Sequence, residues 1–258
     1  MKQWITLFKK EQLEMLRNFK WVWLPLVFII LGMTDPLSSY YMPRIIDAVG
    51  GMPEGTVIEM PTPQAAEVLL ATVSQLNLLG VLIIVLASMG VIAAERKSGL
   101  AAMVLVKPIP IINYVTAKWL NVSLIGCVSL FVGYITGWYY TSVLFGTVSF
   151  ELFLQSYVIF AIWYTFVLTL TIFFSAIFKV AGVAGFITLT IVISLSILTN
   201  IMGDYMIWSP AQLGDSVASL IMVGQLGDGF WLSLSVTVLL VVAMLFGATK
   251  ILENKELE

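Results

Sequence analysis

Residues 74–97 read SQLNLLGVLIIVLASMGVIAAERK, and this stretch decides the fold. From Ser74 to Ala94 there is no charged residue. A helix rises about 1.5 Å per residue, so a run of this length crosses roughly 30 Å of hydrocarbon. Charge returns at once as Glu95-Arg96-Lys97. Cytoplasmic loops retain Lys and Arg, which places this end of the segment in the cytoplasm. Working outward, the same pattern recurs. Apolar spans are expected at about 21–40, 74–94, 114–142, 152–178, 180–201 and 231–249. The segments sharing the side of residue 97 hold Lys2, Lys9, Lys10, Arg17, Lys20, Arg96, Lys97, Lys107, Lys118, Lys179, Lys250 and Lys255, whereas the opposite side holds only Arg44. Acidic residues Asp47, Glu54, Glu59, Glu67, Glu151, Asp204, Asp215 and Asp228 fall on that opposite side. The expected fold is all-α: a polytopic membrane protein of six transmembrane helices with both termini cytoplasmic.

Composition agrees. The chain is 60% hydrophobic and 11% charged, with a mean hydropathy of +1.00. A soluble chain carries roughly 25% charged residues, so most of this surface is expected to meet lipid. Several function classes fall away. Histidine is absent, which removes HExxH zinc sites and His-based triads. Cys127 is the single cysteine; it permits neither an internal disulfide nor a Cys₄ metal site and reads as a packing residue. No broad basic face exists to attract nucleic acid. No Gly-Lys dipeptide occurs, so a P-loop is missing and the chain carries no ATPase site of its own. Ionisable residues are expected only at span ends, which disfavours a proton-driven carrier. Asp204, Asp215 and Asp228 lie in a loop without the paired-carboxylate context of an aspartyl hydrolase. We therefore expect no catalytic residues and no metal site.

The first twenty residues form an interfacial amphipathic helix, with Trp4, Ile5, Phe8, Gln12, Met15, Leu16 and Phe19 on one face and a basic polar face opposite. It leads straight into the first span, read as an uncleaved anchor. Pro25 is expected in the first turn of that span and Asp35-Pro36 at its outer close. Residues 41–73 form the main outer loop, broken by Gly50-Gly51, Pro53, Gly55, Pro61 and Pro63, with a short helix at about 63–72. Residues 202–230 form a second outer segment. It is apolar enough to dip back as one or two short re-entrant helices, which must then pack on the spans. The turn at Lys179 is so short that the fourth and fifth spans must be antiparallel neighbours.

Three sets of residues bear on function. Gly126, Gly133 and Gly137 share one side of the third span and favour close helix packing, within one subunit or between two. Tyr157, Trp163 and Tyr164 on the fourth span, with Ser194, Thr199 and Asn200 on the fifth, are candidates to line a pathway for amphiphilic or cationic cargo; core packing and local back-bonding of Ser and Thr are the competing explanations. The loop 95–113 joins charges at Glu95, Arg96 and Lys97 to an apolar helical patch at Leu100, Met103 and Val104. It suits docking to a cytoplasmic partner, against the alternative of a plain connection with basic anchors.

The order of these features resembles the permease subunit of type-2 ABC exporters. The shared features are a basic amphipathic helix with Lys10-Glu11, six spans, Glu95-x-x-x-Gly99 after the second, Pro108 and Lys118 at the start of the third, and a broken outer segment before the sixth. The resemblance covers nearly the whole chain. It implies a dimer, with a second permease copy or a paralogue, and a cytosolic ABC ATPase subunit on each half that binds ATP and Mg. The permease would bind neither. It also implies that 1–20 is a connecting helix, that Glu95–Gly99 with Leu100 and Met103 forms the coupling element, and that the first and fifth spans meet across the dimer. Leu100 and Ile109-Pro110 depart from the family's commoner residues at these places. The expected function is an ATP-driven export permease in a bacterial plasma membrane. The alternative is a membrane scaffold or regulatory protein that binds a cytosolic partner and moves nothing.

Overall fold

The computed structural model of the chain describes residues 2–49, 63–99 and 109–256; all regular elements among them are helical. Six helical stretches among the described residues are long and apolar enough to cross a membrane, at Lys20–Pro43, Ala65–Lys97, Ile111–Leu144, Phe150–Ile177, Ala181–Met206 and Phe230–Asn254.

Helix α1 (Lys2–Arg17) turns into α2 (Lys20–Val49) through Phe19, whose φ is +54°. The buried stripe of α1 is Leu7, Glu11 and Met15, one helical turn apart, while Ile5, Leu16 and Phe19 are exposed. The expected apolar face therefore splits in two: one edge packs on protein, and another is left open on the outside of the bundle.

Helix α2 does not end at Asp35-Pro36. It runs through Pro25, Pro36 and Pro43 to Val49, and Pro25 lies beyond its first turn because the helix already begins at Lys20. A proline within a helix forfeits one backbone bond, and neighbouring helices make this tolerable in a membrane bundle. With its amide nitrogen turned inward, Gln75 donates to Asp35 Oδ2 at 2.6 Å and to the Leu31 carbonyl at 2.8 Å, so the carboxylate is satisfied without breaking the helix.

The second span starts earlier than expected. Helix α3 (Ala65–Gln75) absorbs the anticipated short helix and continues through a π-helical turn, Leu76–Gly80, into α4 (Val81–Ser88). The chain then breaks at Met89–Ile92 and resumes as α5 (Ala93–Lys97). Ser175 bridges this break: its hydroxyl donates to the Met89 carbonyl at 2.8 Å and accepts from the amides of Ile92 and Ala93 at 3.2 and 2.9 Å.

The third and fourth spans, α6 (Ile111–Leu144) and α7 (Phe150–Ile177), form the centre of the bundle. Helix α2 packs along α6, α8 (Ala181–Met202) lies beside α7 after the Phe178–Val180 turn, and α10 (Phe230–Glu256) packs on α7. Of the outer segment 202–230, a 3₁₀ turn (Gly203–Met206) and helix α9 (Gln212–Val223) are ordered, and α9 packs against α7, α3 and α10. The first, fifth and sixth spans keep most of their surface outside this packing.

Candidate functional site

Lys118 lies two turns into α6 and is 1% exposed. An ammonium in such a place is costly unless it is paired and hydrogen-bonded. Glu11 of α1 and Glu95 of α5 supply the pairing: Lys118 Nζ is 2.9 Å from Glu11 Oε2 and 2.9 Å from Glu95 Oε1. Lys10 closes the group from the open side, at 3.2 Å from Glu11 and 3.1 Å from Glu95. Tyr114 donates its hydroxyl to Glu95 Oε2 at 2.5 Å, and its ring lies 5.1 Å from Lys118 Nζ, close enough for a cation–π contact. Glu11, Glu95, Lys10 and Lys118 from three helices thus form one charge-paired cluster, with Glu14 3.7 Å from Lys10 at its exposed edge.

The electrostatics are visible at Lys10, outside the spans. Partial burial alone would lower its ammonium, but the Glu11 and Glu95 carboxylates beside it outweigh that and raise it above the ordinary lysine value. Glu11, Glu14 and Glu95 bring carboxylate oxygens within 4.8 Å of one another. The geometry would admit a metal ion, but Lys10 and Lys118 already supply the positive charge there.

Further contacts fasten α1 to the bundle. Trp4 Nε1 donates to Thr116 Oγ1 at 3.1 Å, and the Asn121 amide donates to the Phe8 carbonyl at 3.3 Å and to its own Ala117 carbonyl at 2.8 Å. Trp21 Nε1 donates to Gln12 Oε1 at 2.9 Å, across the bend between α1 and α2. Lys20 Nζ donates to the Ala87 carbonyl at 2.8 Å, tying the start of α2 to the end of α4.

Among the expected coupling residues the structure draws a division. Glu95 and Arg96 turn inward: Arg96 is buried and donates from Nη1 to the Ala176 carbonyl at 2.6 Å. Lys97 and Gly99 are exposed, and Gly99 has φ +77° with open space around it. That left-handed backbone suits glycine, since a side chain there is strained. Leu100 and Met103 lie outside the described residues. The sequence reading did not single out Glu11, Lys118 and Tyr114 as a set. One signal for Glu11 was available: it falls between Leu7 and Met15 at four-residue spacing, on a face that is otherwise apolar.

Of the candidate pathway aromatics, two are enclosed within the chain. Trp163 and Tyr164 are 1% and 0% exposed, so neither faces open space in this conformation. The π turn explains why. There the Leu76 carbonyl accepts from the Val81 amide and also from Tyr164 Oη at 2.6 Å, and the Asn77 side-chain Oδ1 accepts from Trp163 Nε1 at 2.8 Å. Tyr157 is half-buried and donates to the Cys127 carbonyl at 3.2 Å. On α8, Ser194 is exposed, while Thr199 and Asn200 line a cavity with α3 and α9. The three glycines of α6 sit at helix contacts within the chain. A Cβ on Gly133 would lie 2.6 Å from the Phe28 carbonyl oxygen, one on Gly137 2.6 Å from Thr72 Cγ2, and one on Gly126 2.7 Å from Leu168 Cδ1.

Residues 5–221 match the family described as ABC-2 family transporter protein. The chain is also 33% identical over 244 residues, 95% of each protein, to the uncharacterized transmembrane protein YxlG of Bacillus subtilis (strain 168). The six apolar helices, the helical fold and these two similarities agree, and the chain belongs to the ABC-2 transporter permease family of multi-pass membrane transport proteins.

Proposed function

We propose that this chain is one half of an ATP-driven exporter, and that the buried cluster is the joint through which a separate cytosolic ATPase moves the helices. ABC-2 permeases generally work with such a subunit. ATP and Mg would then reside on the ATPase, and this chain would bind neither. A second permease copy, or a paralogue, would complete the pathway. The open apolar faces of α2 and α8, which include Ile30, Phe186, Ile193 and Ile197, offer surface for that contact or for lipid. The basic end of the bundle would face the cytoplasm of a bacterial plasma membrane, with both termini there.

The observation that carries the reading is the convergence of α1, α5 and α6 on one set of ion pairs around the buried Lys118. A surface helix and a loop segment so fastened to the central span cannot move without it. A force applied at Lys97–Gly99, just outside the cluster, therefore reaches α6 through Glu95 and Lys118. Glu95 and Arg96 act as inner anchors in this scheme, and Lys97, Gly99 and the following residues, with Leu100 and Met103, meet the partner. Outward transport is the direction that the family resemblance supports.

The test is co-expression of the full chain with cytosolic P-loop ABC ATPase subunits of the same organism, purification, and reconstitution in proteoliposomes. Wild type is expected to hold the ATPase and to change its ATP turnover. Lys97→Glu, at an exposed position, is expected to weaken that association without lowering the yield of folded permease. An ATPase that neither co-purifies nor changes turnover would overturn the proposal. Stable association without any effect on turnover would favour a scaffold that moves nothing.

A further inference from the structure

At the end of the bundle opposite Lys118, α3, α8 and α9 leave a cavity of about 130 Å³ between them. Its polar lining comes from Ser74, Asn77, Ser196, Thr199, Asn200 and Asp215, and its apolar wall includes Leu70, Val73 and Phe160. Several of the polar groups are already committed in one direction. Ser74 spends its proton on the Leu70 carbonyl and Thr199 spends its proton on Ser209 Oγ. Both oxygens thus remain as acceptors. Asp215 adds a carboxylate, and among the described residues no cation pairs with it. Burial pushes its carboxyl above the usual aspartate range, with no opposing charge to bring it down. Asn77 spends its oxygen on Trp163 Nε1 and keeps its N–H donors, while Ser74, Thr199 and the unopposed Asp215 supply acceptors; with the apolar wall, that acceptor side is complementary to a group that has N–H donors, positive charge and a hydrocarbon tail.

We propose that this cavity binds the ammonium head of a small alkylammonium cation, with Asp215 as counter-ion and Ser74 and Thr199 as acceptors. The alkyl part lies along Leu70, Val73 and Phe160. Size and lining argue against a bare hard cation. Calcium takes six to eight oxygens at contact distance, whereas this space is several-fold larger than the about 10–15 Å³ that one water needs and is partly walled by hydrocarbon. Binding here needs no ATPase, so its failure would leave the coupling proposal untouched, and the reverse also holds.

The test is equilibrium binding of radiolabelled n-hexylammonium to the full chain in lipid nanodiscs, with empty nanodiscs as background. Saturable binding is expected, displaced by unlabelled n-hexylammonium and not by hexanol, hexanoate, NaCl or KCl at the same concentration. Asp215→Asn is expected to weaken it at least tenfold. Ala218→Leu, which fills the cavity from a lining position without altering charge, is expected to abolish it, and decides the question should Asp215→Asn fail to fold. Unchanged binding in folded Asp215→Asn or Ala218→Leu, equal displacement by hexanol, or displacement by Na⁺ or K⁺ would overturn the assignment, as would no saturable binding to wild type.

Discussion

Lys118 sits among the most buried side chains of the chain, beside Trp163, Tyr134 and Phe28. The cost of placing its charge there is met by Glu11 and Glu95, each at 2.9 Å, and by the Tyr114 ring 5.1 Å away. Removing one partner of a buried pair leaves an uncompensated charge, a loss of about 3–5 kcal/mol. Lys118→Met is therefore expected to lower the thermal stability of the purified permease sharply. Adding Glu11→Gln and Glu95→Gln should recover much of that loss, because the stranded charges are removed with it. Thermal denaturation of wild type and the two variants in one detergent measures this; a Lys118→Met variant as stable as wild type would show the cluster to be dispensable. At this scale the sequence was only partly readable. The single residues Lys10, Glu11, Glu95 and Lys118 were all visible in it, and Glu95 carried an expected role. Their meeting was not visible, because 84 positions separate Glu11 from Glu95 and no local pattern encodes that contact.

Among the elements, the α2–α6 contact has the tightest backbone approach. A Cβ on Gly32 would lie 2.0 Å from the Gly133 carbonyl oxygen, and one on Gly133 2.6 Å from that of Phe28. Small residues permit such closeness in lipid, where helix association relies on packing rather than on hydrophobic expulsion. Gly133→Ala should force the helices apart at a cost of at least about 1–3 kcal/mol. Gly182→Ala, in α8 with nothing within 4 Å, should instead be neutral or stabilising by up to about 1 kcal/mol through helix propensity. Melting temperatures of the two variants would distinguish a contact glycine from a free one. The π turn makes a second prediction at this scale. Tyr164→Phe keeps the ring and removes one of the two hydrogen bonds to the Leu76 carbonyl, which still accepts from the Val81 amide; the loss costs about 0.5–1.5 kcal/mol. Amide exchange at residues 76–80 should rise in that variant; unchanged exchange would mean that the turn holds without Tyr164. The glycine spacing on α6 was legible from sequence, although which helix it met was not. The π turn left no sequence signal. It lies in a stretch without charge, Ser74-Gln75-Leu76-Asn77-Leu78-Leu79-Gly80, too short for residue periodicity to show whether the ladder closes at four residues or at five.

For the whole molecule, the charge bias sets one expectation above all: the end bearing Lys118 and Lys179 faces the cytoplasm. In a Cys127→Ala background, a cysteine at Thr147 should react with an impermeant maleimide in intact cells. One at Lys179 should react only after permeabilisation. Both positions are exposed, so access depends on the side of the membrane and not on burial. The reverse labelling pattern would invert the topology and remove the cytoplasmic coupling surface. The bundle itself is asymmetric, with α6 and α7 enclosed and the first, fifth and sixth spans largely open. Open spans at the periphery are what a subunit of a larger membrane assembly presents, and they are equally what lipid requires.

Sequence alone determined that this chain crosses the membrane on six helices, because the length and charge of each segment suffice to decide whether lipid will take it. It also determined the class of protein, through the order of those segments. Tertiary structure alone decided that α2 continues past Pro36, that Trp163 and Tyr164 serve a π turn, and that Lys118 joins Glu11 to Glu95. Each of these depends on which groups from distant segments arrive within 3 Å. In a low-dielectric interior, that proximity determines whether a charge, a carbonyl or a proline can be accommodated at all.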